Sequence, residues 1–283
     1  MNRRLQLVPI VGTGAAAAMI FNILPVFVGR AAETFGLSDS AAGWMATTYL
    51  AGFGVSSVSA TLWLHRFGRK ALAYALFLSA AVLLAAGATV ESHAVVWGLL
   101  FVVGLVLGGL YTMSFMLAGE YPDATRAVGV KLGGEVVLGA MLLSLTTTLV
   151  YPAFGFAGIL ATLAIVLIAV SPCARFVHTG TGQLEAASTE KSGMAVPTRA
   201  RFMLGALLLF TVAQAAVWSF VERAGARAEF DGSATGAVLS VAVLFGGAGS
   251  FAAGALSDRL GKSIPLIGVV LLYLAAMVLL FLG

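Results

Sequence analysis

Thr61-Leu62-Trp63-Leu64-His65-Arg66-Phe67-Gly68-Arg69-Lys70 is a short basic turn between two long apolar runs, and it has a counterpart far along the chain, Gly254-Ala255-Leu256-Ser257-Asp258-Arg259-Leu260-Gly261-Lys262-Ser263. Residues 36–70 slide onto 229–263 without a gap. Ser40/Ser233 and Gly43/Gly236 fall near the start of the match, and Arg66/Arg259 and Gly68/Gly261 close it. Matched landmarks of this kind mark an internal repeat, which constrains the architecture before any single residue does.

The chain between and around the two copies is too apolar for a water-facing surface. Hydrophobic residues make up 60% of it and charged residues 10%, against about 25% charged in soluble domains. With a mean hydropathy of +1.02, it reads as an all-α integral membrane protein. The net charge of +4 is therefore not a nucleic-acid footprint; in a membrane protein the positions of the charges matter, not their sum. The single Cys173 excludes an intramolecular disulfide and leaves no cysteine cluster for a metal. The N-terminal apolar run continues to about Val28, longer than a signal-peptide core, and reads as an uncleaved first span.

Apolar runs long enough to cross a bilayer lie near 6–29, 41–64, 71–90, 94–118, 128–150, 153–172, 202–221, 233–256 and 264–282. Most connections are short and imply antiparallel neighbours. The exception, 173–201, is rich in Ser, Thr, Gly, Glu and Lys and reads as a cytoplasmic linker. It separates an N-terminal six-helix bundle, 1–172, from a partial bundle of three helices, 202–283. With the N-terminus cytoplasmic, every Lys and Arg except Arg30, Arg223 and Arg227 lies on the inner side, a strong positive-inside bias. Both basic turns then fall on the cytoplasmic face, and the repeats are parallel, related by an axis along the membrane normal.

Two parallel repeats, a long cytoplasmic loop after the sixth helix and a GxxxDRxGR(K/R)-like turn after helices 2 and 8 resemble the major facilitator superfamily. The second copy matches through Gly254, Asp258, Arg259 and Gly261, with Lys262 for the second Arg. The first keeps Arg66, Gly68, Arg69 and Lys70 but has Thr61 for Gly and His65 for Asp. The resemblance implies a secondary active transporter of the cell membrane, moving a small solute by alternating access. It implies no enzyme and no cofactor, with coupling to a proton or other ion gradient left open. The family normally has twelve helices, so a chain ending at Gly283 is expected to be a truncated member that does not transport alone. A non-transporting sensor or scaffold is the alternative. A membrane-embedded enzyme is disfavoured: there is no HExxH or GxSxG, and His65, His93 and His178 sit at loops or helix ends.

The resemblance makes the two turns a cytoplasmic latch between the bundles, and Glu120, at the inner end of helix 4, is a candidate partner for Arg66 or Arg69. At His65 a neutral imidazole stands where the pattern has a carboxylate; positive-inside topology alone is the other reading of this copy. Glu135 is the one acid that these spans place inside a helix. It is open to a proton or a cationic solute, or to a pair with Lys131 one turn earlier. Asn22 and Gln214 fall one position apart when the repeats are aligned, as groups lining a central cavity would; Tyr49, Tyr111 and Trp218 are further cavity candidates. Arg30 and Arg223 also align, each at an outer helix end near Glu33, Glu222 and Asp231, and form either an outer gate or plain helix-end charges. Glycine pairs at GxxxG spacing, Gly104/Gly108 and Gly129/Gly133, mark expected close helix contacts.

Overall fold

The computed structural model describes residues 3–178, 198–227, 229, 230, 232–260 and 263–282. Each stretch expected to span is helical: α1 Arg3–Asn22 and α2 Leu24–Phe35, then α3 Asp39–Trp63, α4 Arg69–Ala88, α5 His93–Gly119 and α6 Ala124–Leu145. After these come α7 Tyr151–Val170, α8 Thr198–Arg227, α9 Gly232–Leu260 and α10 Ser263–Leu282. Among the described residues, Leu5–Asn22, Arg69–Ala88, His93–Gly119, Ala124–Phe176 and Arg201–Arg227 are long and apolar enough to cross a membrane. The 27 residues of α5 reach about 40 Å, more than the hydrocarbon core needs. Hydroxyls run along α3, and its Thr47, Thr48 and Ser59 each return a 2.8 Å bond to the carbonyl one turn earlier, at Gly43, Trp44 and Val55. That bond satisfies the hydroxyl without a partner outside the helix.

Three boundaries differ from the sequence reading, each for a local reason. The first span is two helices: Ile23 leaves helical geometry (φ −96°, ψ 8°), and Pro25 follows in the first turn of α2. Proline has no N–H to offer the carbonyl four residues back, so the break falls beside it. The reversal expected at 151–152 lies instead at Gly155, whose φ of 63° and ψ of −159° interrupt α7. Val150 and Tyr151 keep right-handed helical dihedrals, so the helix runs on past Pro152, whereas the conformation at 155 suits glycine. The first residues of the expected linker are ordered. Ser171–Phe176 forms a 3-10 turn, with Cys173, Ala174 and Val177 buried. The stretch 179–197 lies outside the described residues.

Contacts fix the helix directions. Gly14 meets Lys131 and Gly139 meets Asn22, so α1 and α6 run parallel; Gly12 meets Cys173 while Phe27 meets Phe156, so α7 runs back along them. Helices α3 and α5 are in closest contact, because a Cβ at Gly104 or Gly108 would overlap the main chain of Tyr49 or Phe53, and one at Gly52 that of Phe101. Glycine here lets two backbones touch. Of the other expected pair, Gly129 faces open space, while Gly134, next to Gly133, meets Val11 of α1.

Helices α8 and α9 lean on the earlier ones through two seams. Helix α8 runs beside α2, where Phe220 reaches Gly43 of α3. Helix α9 runs antiparallel to α6, with Gly236 against Thr147 and Gly247 within 2.7 Å of Val136 if it carried a Cβ.

Candidate functional site

Lys131 and Glu135 are one turn apart on α6 and form an ion pair. Lys131 is fully buried, and Glu135 nearly so. A charge at such depth persists when its partner and the groups around it replace water. The Lys131 Nζ lies 3.9 Å from the ring centre of Tyr111 and 3.7 Å from that of Phe115, both on α5, so two aromatic faces attract the ammonium as well. On the third side stands Gly14 of α1, where a Cβ would come within 2.8 Å of Lys131 Cγ and 3.0 Å of Glu135 Oε1. Any larger residue there would push the pair apart.

Asn22 closes the cluster, donating its Nδ2 to the main-chain oxygen of Glu135 at 3.0 Å. An aromatic stripe leads away from it, Tyr49–Phe53–Tyr111–Phe115, with ring centres 6.1, 5.3 and 5.1 Å apart. Tyr49 is buried, and its hydroxyl has no hydrogen-bond partner among the described residues. Trp218 of α8 donates its indole N–H to the Phe21 oxygen at 3.1 Å.

A second group of charges lies at the end of the bundle opposite the Arg66–Lys70 turn. Arg30 holds Glu33 at 2.8 Å and Glu222 of α8 at 3.5 Å, with its guanidinium 4.6 Å from the Tyr151 ring centre. Asp39, at the start of α3, is paired with both Arg223 and Arg227 of α8. Gly29 leaves the space that the Glu222 carboxylate occupies. These pairs tie α2 and α3 to α8. At the other end, Arg69 pairs with Glu120 at 2.8 Å, which joins α4 to α5 inside the first half. His65, Arg66 and Lys70 are exposed.

Asn22, Tyr111 and Glu135 thus come together, with Tyr49 at the far end of the stripe and Trp218 beside Asn22 through Phe21. Gln214 is exposed, one turn from Trp218 on α8, and does not join them. Arg30 and Arg223 each meet an acid across the halves. Gly254, Asp258 and Arg259 fall on α9; Asp231, Gly261 and Lys262 lie outside the described residues. Sequence reasoning missed Asp39, which reads as an ordinary first-turn acid after the Ser38 cap. It also counted Glu135 as the sole acid within a span. Helix α8 continues to Arg227, so Glu222 is intrahelical too, and it is buried.

The sequence profile described as Major Facilitator Superfamily matches residues 10–283. No curated protein and no solved structure matches the chain.

Proposed function

Because this chain belongs to the major facilitator superfamily, we propose that it is a secondary transporter moving a small solute by alternating access between its two halves. The observation that carries this reading is the set of cross-half ion pairs at one end, Arg30–Glu222 and Asp39 with Arg223 and Arg227. Ion pairs between separately moving bodies can be exchanged. The excess of Lys and Arg on the Arg66–Lys70 side makes that side cytoplasmic. The paired end is then the outer gate, closed in this conformation, with Arg30 and Arg223 at its centre.

In this reading the solute meets Asn22, Tyr111 and Glu135 from the first half and Trp218 from the second, with Tyr49 deeper along the stripe. Gln214 lines the inner vestibule. The turns at His65–Lys70 and Gly254–Lys262 form the inner latch in the opposite conformation, when Arg69 is free to trade Glu120 for a partner across the halves. The setting is the cell membrane.

The test is the sidedness of Gln214. In a Cys173→Ser background, a Gln214→Cys variant is expected to react with a membrane-impermeant maleimide in inside-out vesicles and to be protected in right-side-out vesicles. Labelling from the outside would overturn the proposal.

A further inference from the structure

Where the end of α7 runs back beside the start of α1, the surface carries an open groove of about 530 Å³, within the size of a small-ligand site. Leu7, Val8 and Val11 form one wall and Ala169, Val170 and Pro172 the other. Gly12 and Cys173 close the floor. A Cβ on Gly12 would lie 2.6 Å from the Cys173 Sγ, so the two elements meet only over glycine. One charged group lines the groove, Arg175 on the 3-10 turn after α7. Its side chain is exposed, with the guanidinium 4.5 Å from the Phe176 ring centre. None of the ion pairs among the described residues involves it.

The groove lies at the end of the bundle that carries the Arg66–Lys70 turn. Helix α1 runs parallel to α6, and α6 starts just after Glu120, the partner of Arg69. Arg3 and Arg4 open α1 one turn before Leu7 and Val8, which adds two basic positions to the same end. Apolar walls along the helix axes, with positive charge gathered at the inner end, follow the order of a phospholipid: acyl chain, then phosphate. An extended peptide would leave its amides unsatisfied against such walls, whereas a hydrocarbon chain brings none.

We propose that this groove holds an acyl chain of an anionic phospholipid from the leaflet on the Arg66–Lys70 side, with the lipid phosphate on the Arg175 guanidinium. The guanidinium fork donates two N–H bonds to phosphate oxygens. The net negative headgroup is drawn to the same end by the basic start of α1. A zwitterionic headgroup carries its own cation and gains less. The site lies between α1 and the end of α7, and it holds whether or not the transport cycle proposed above operates.

The experiment is native mass spectrometry of the purified full chain, titrated in detergent with equimolar dioleoyl phosphatidylglycerol and dioleoyl phosphatidylcholine. The first adduct is expected to be phosphatidylglycerol. R175Q is expected to weaken that adduct about fivefold, while R126Q, at an exposed arginine near the start of α6, leaves it unchanged. A169F, which fills the groove from an exposed position of α7, is expected to remove the adduct. V8W fills it from α1 and carries the test if A169F elutes differently from the wild type on gel filtration. Inorganic phosphate at the lipid concentration is expected to displace nothing. Equal binding of the two lipids by the wild type overturns the proposal. So does equal loss in R126Q and R175Q, which would mean diffuse attraction to a basic face, or displacement by inorganic phosphate, which would mean a site for free anions. Each of these results would leave the sidedness of Gln214 labelling untouched, so the lipid site can fail while alternating access stands.

Discussion

The indole N–H of Trp218 bonds the main-chain oxygen of Phe21, the carbonyl left free by Pro25. In an unbroken helix the N–H of residue 25 would bond that oxygen, as Ile23 bonds Met19 and Phe27 bonds Ile23. Proline has no N–H to give, so a donor arrives from the other half of the molecule. The break in the first span and the seam between the halves are one feature.

Trp218→Phe is therefore expected to lower stability by about 0.5–1.5 kcal/mol, the net value of a hydrogen bond. The loss should shrink in a Pro25→Ala background, where Phe21 regains an intrahelical donor. Thermal unfolding of the four proteins of this double-mutant cycle checks the coupling; strictly additive effects would show that the two features are independent.

The Lys131–Glu135 pair makes single substitutions worse than the double one. Lys131→Met or Glu135→Leu alone leaves a buried charge without its partner and is expected to destabilise by about 3–5 kcal/mol. The double variant should recover most of that, read as folded yield and melting temperature in detergent.

Glycines separate by what faces them. Gly104→Ala and Gly108→Ala put a Cβ into the backbone of α3, where nothing can swing aside, and are expected to cost about 1–3 kcal/mol. Gly129→Ala, facing open space in the interior of α6, is expected to be neutral or to stabilise by about 0.5–1 kcal/mol. Melting temperatures of the three variants compare these effects directly.

At the reversal between α6 and α7, Gly155 has a backbone conformation that other residues avoid. Gly155→Ala is expected to destabilise by about 1–3 kcal/mol, visible as earlier thermal unfolding. A proline-to-alanine change at Pro152, in the first turn, should cost less.

What could be read from the sequence divides along physical lines. The two basic turns and the apolar runs are properties of contiguous sequence, so the family and the helical stretches followed from them. The Lys131–Glu135 pair was legible because helical spacing alone brings the two together. The aromatic cage was not, since Tyr111 and Phe115 reach Lys131 across a packing interface whose register no local pattern reports. Asp39 was hidden for the same reason: its partners Arg223 and Arg227 belong to α8, some 185 residues further along the chain. Gly155 was passed over because it lies inside the apolar run 153–172, where a single glycine carries no turn signal of its own.

The central claim is that the halves move against each other and that the outer ion pairs hold them closed. Spin labels at Thr34→Cys on α2 and Ala226→Cys on α8, both exposed, in a Cys173→Ser background report the distance across that end by double electron–electron resonance. The expected result is a single short-distance population in the otherwise unaltered chain and a second, longer one when Asp39→Asn and Glu222→Gln are added. The same distance distribution with and without those two substitutions would contradict it.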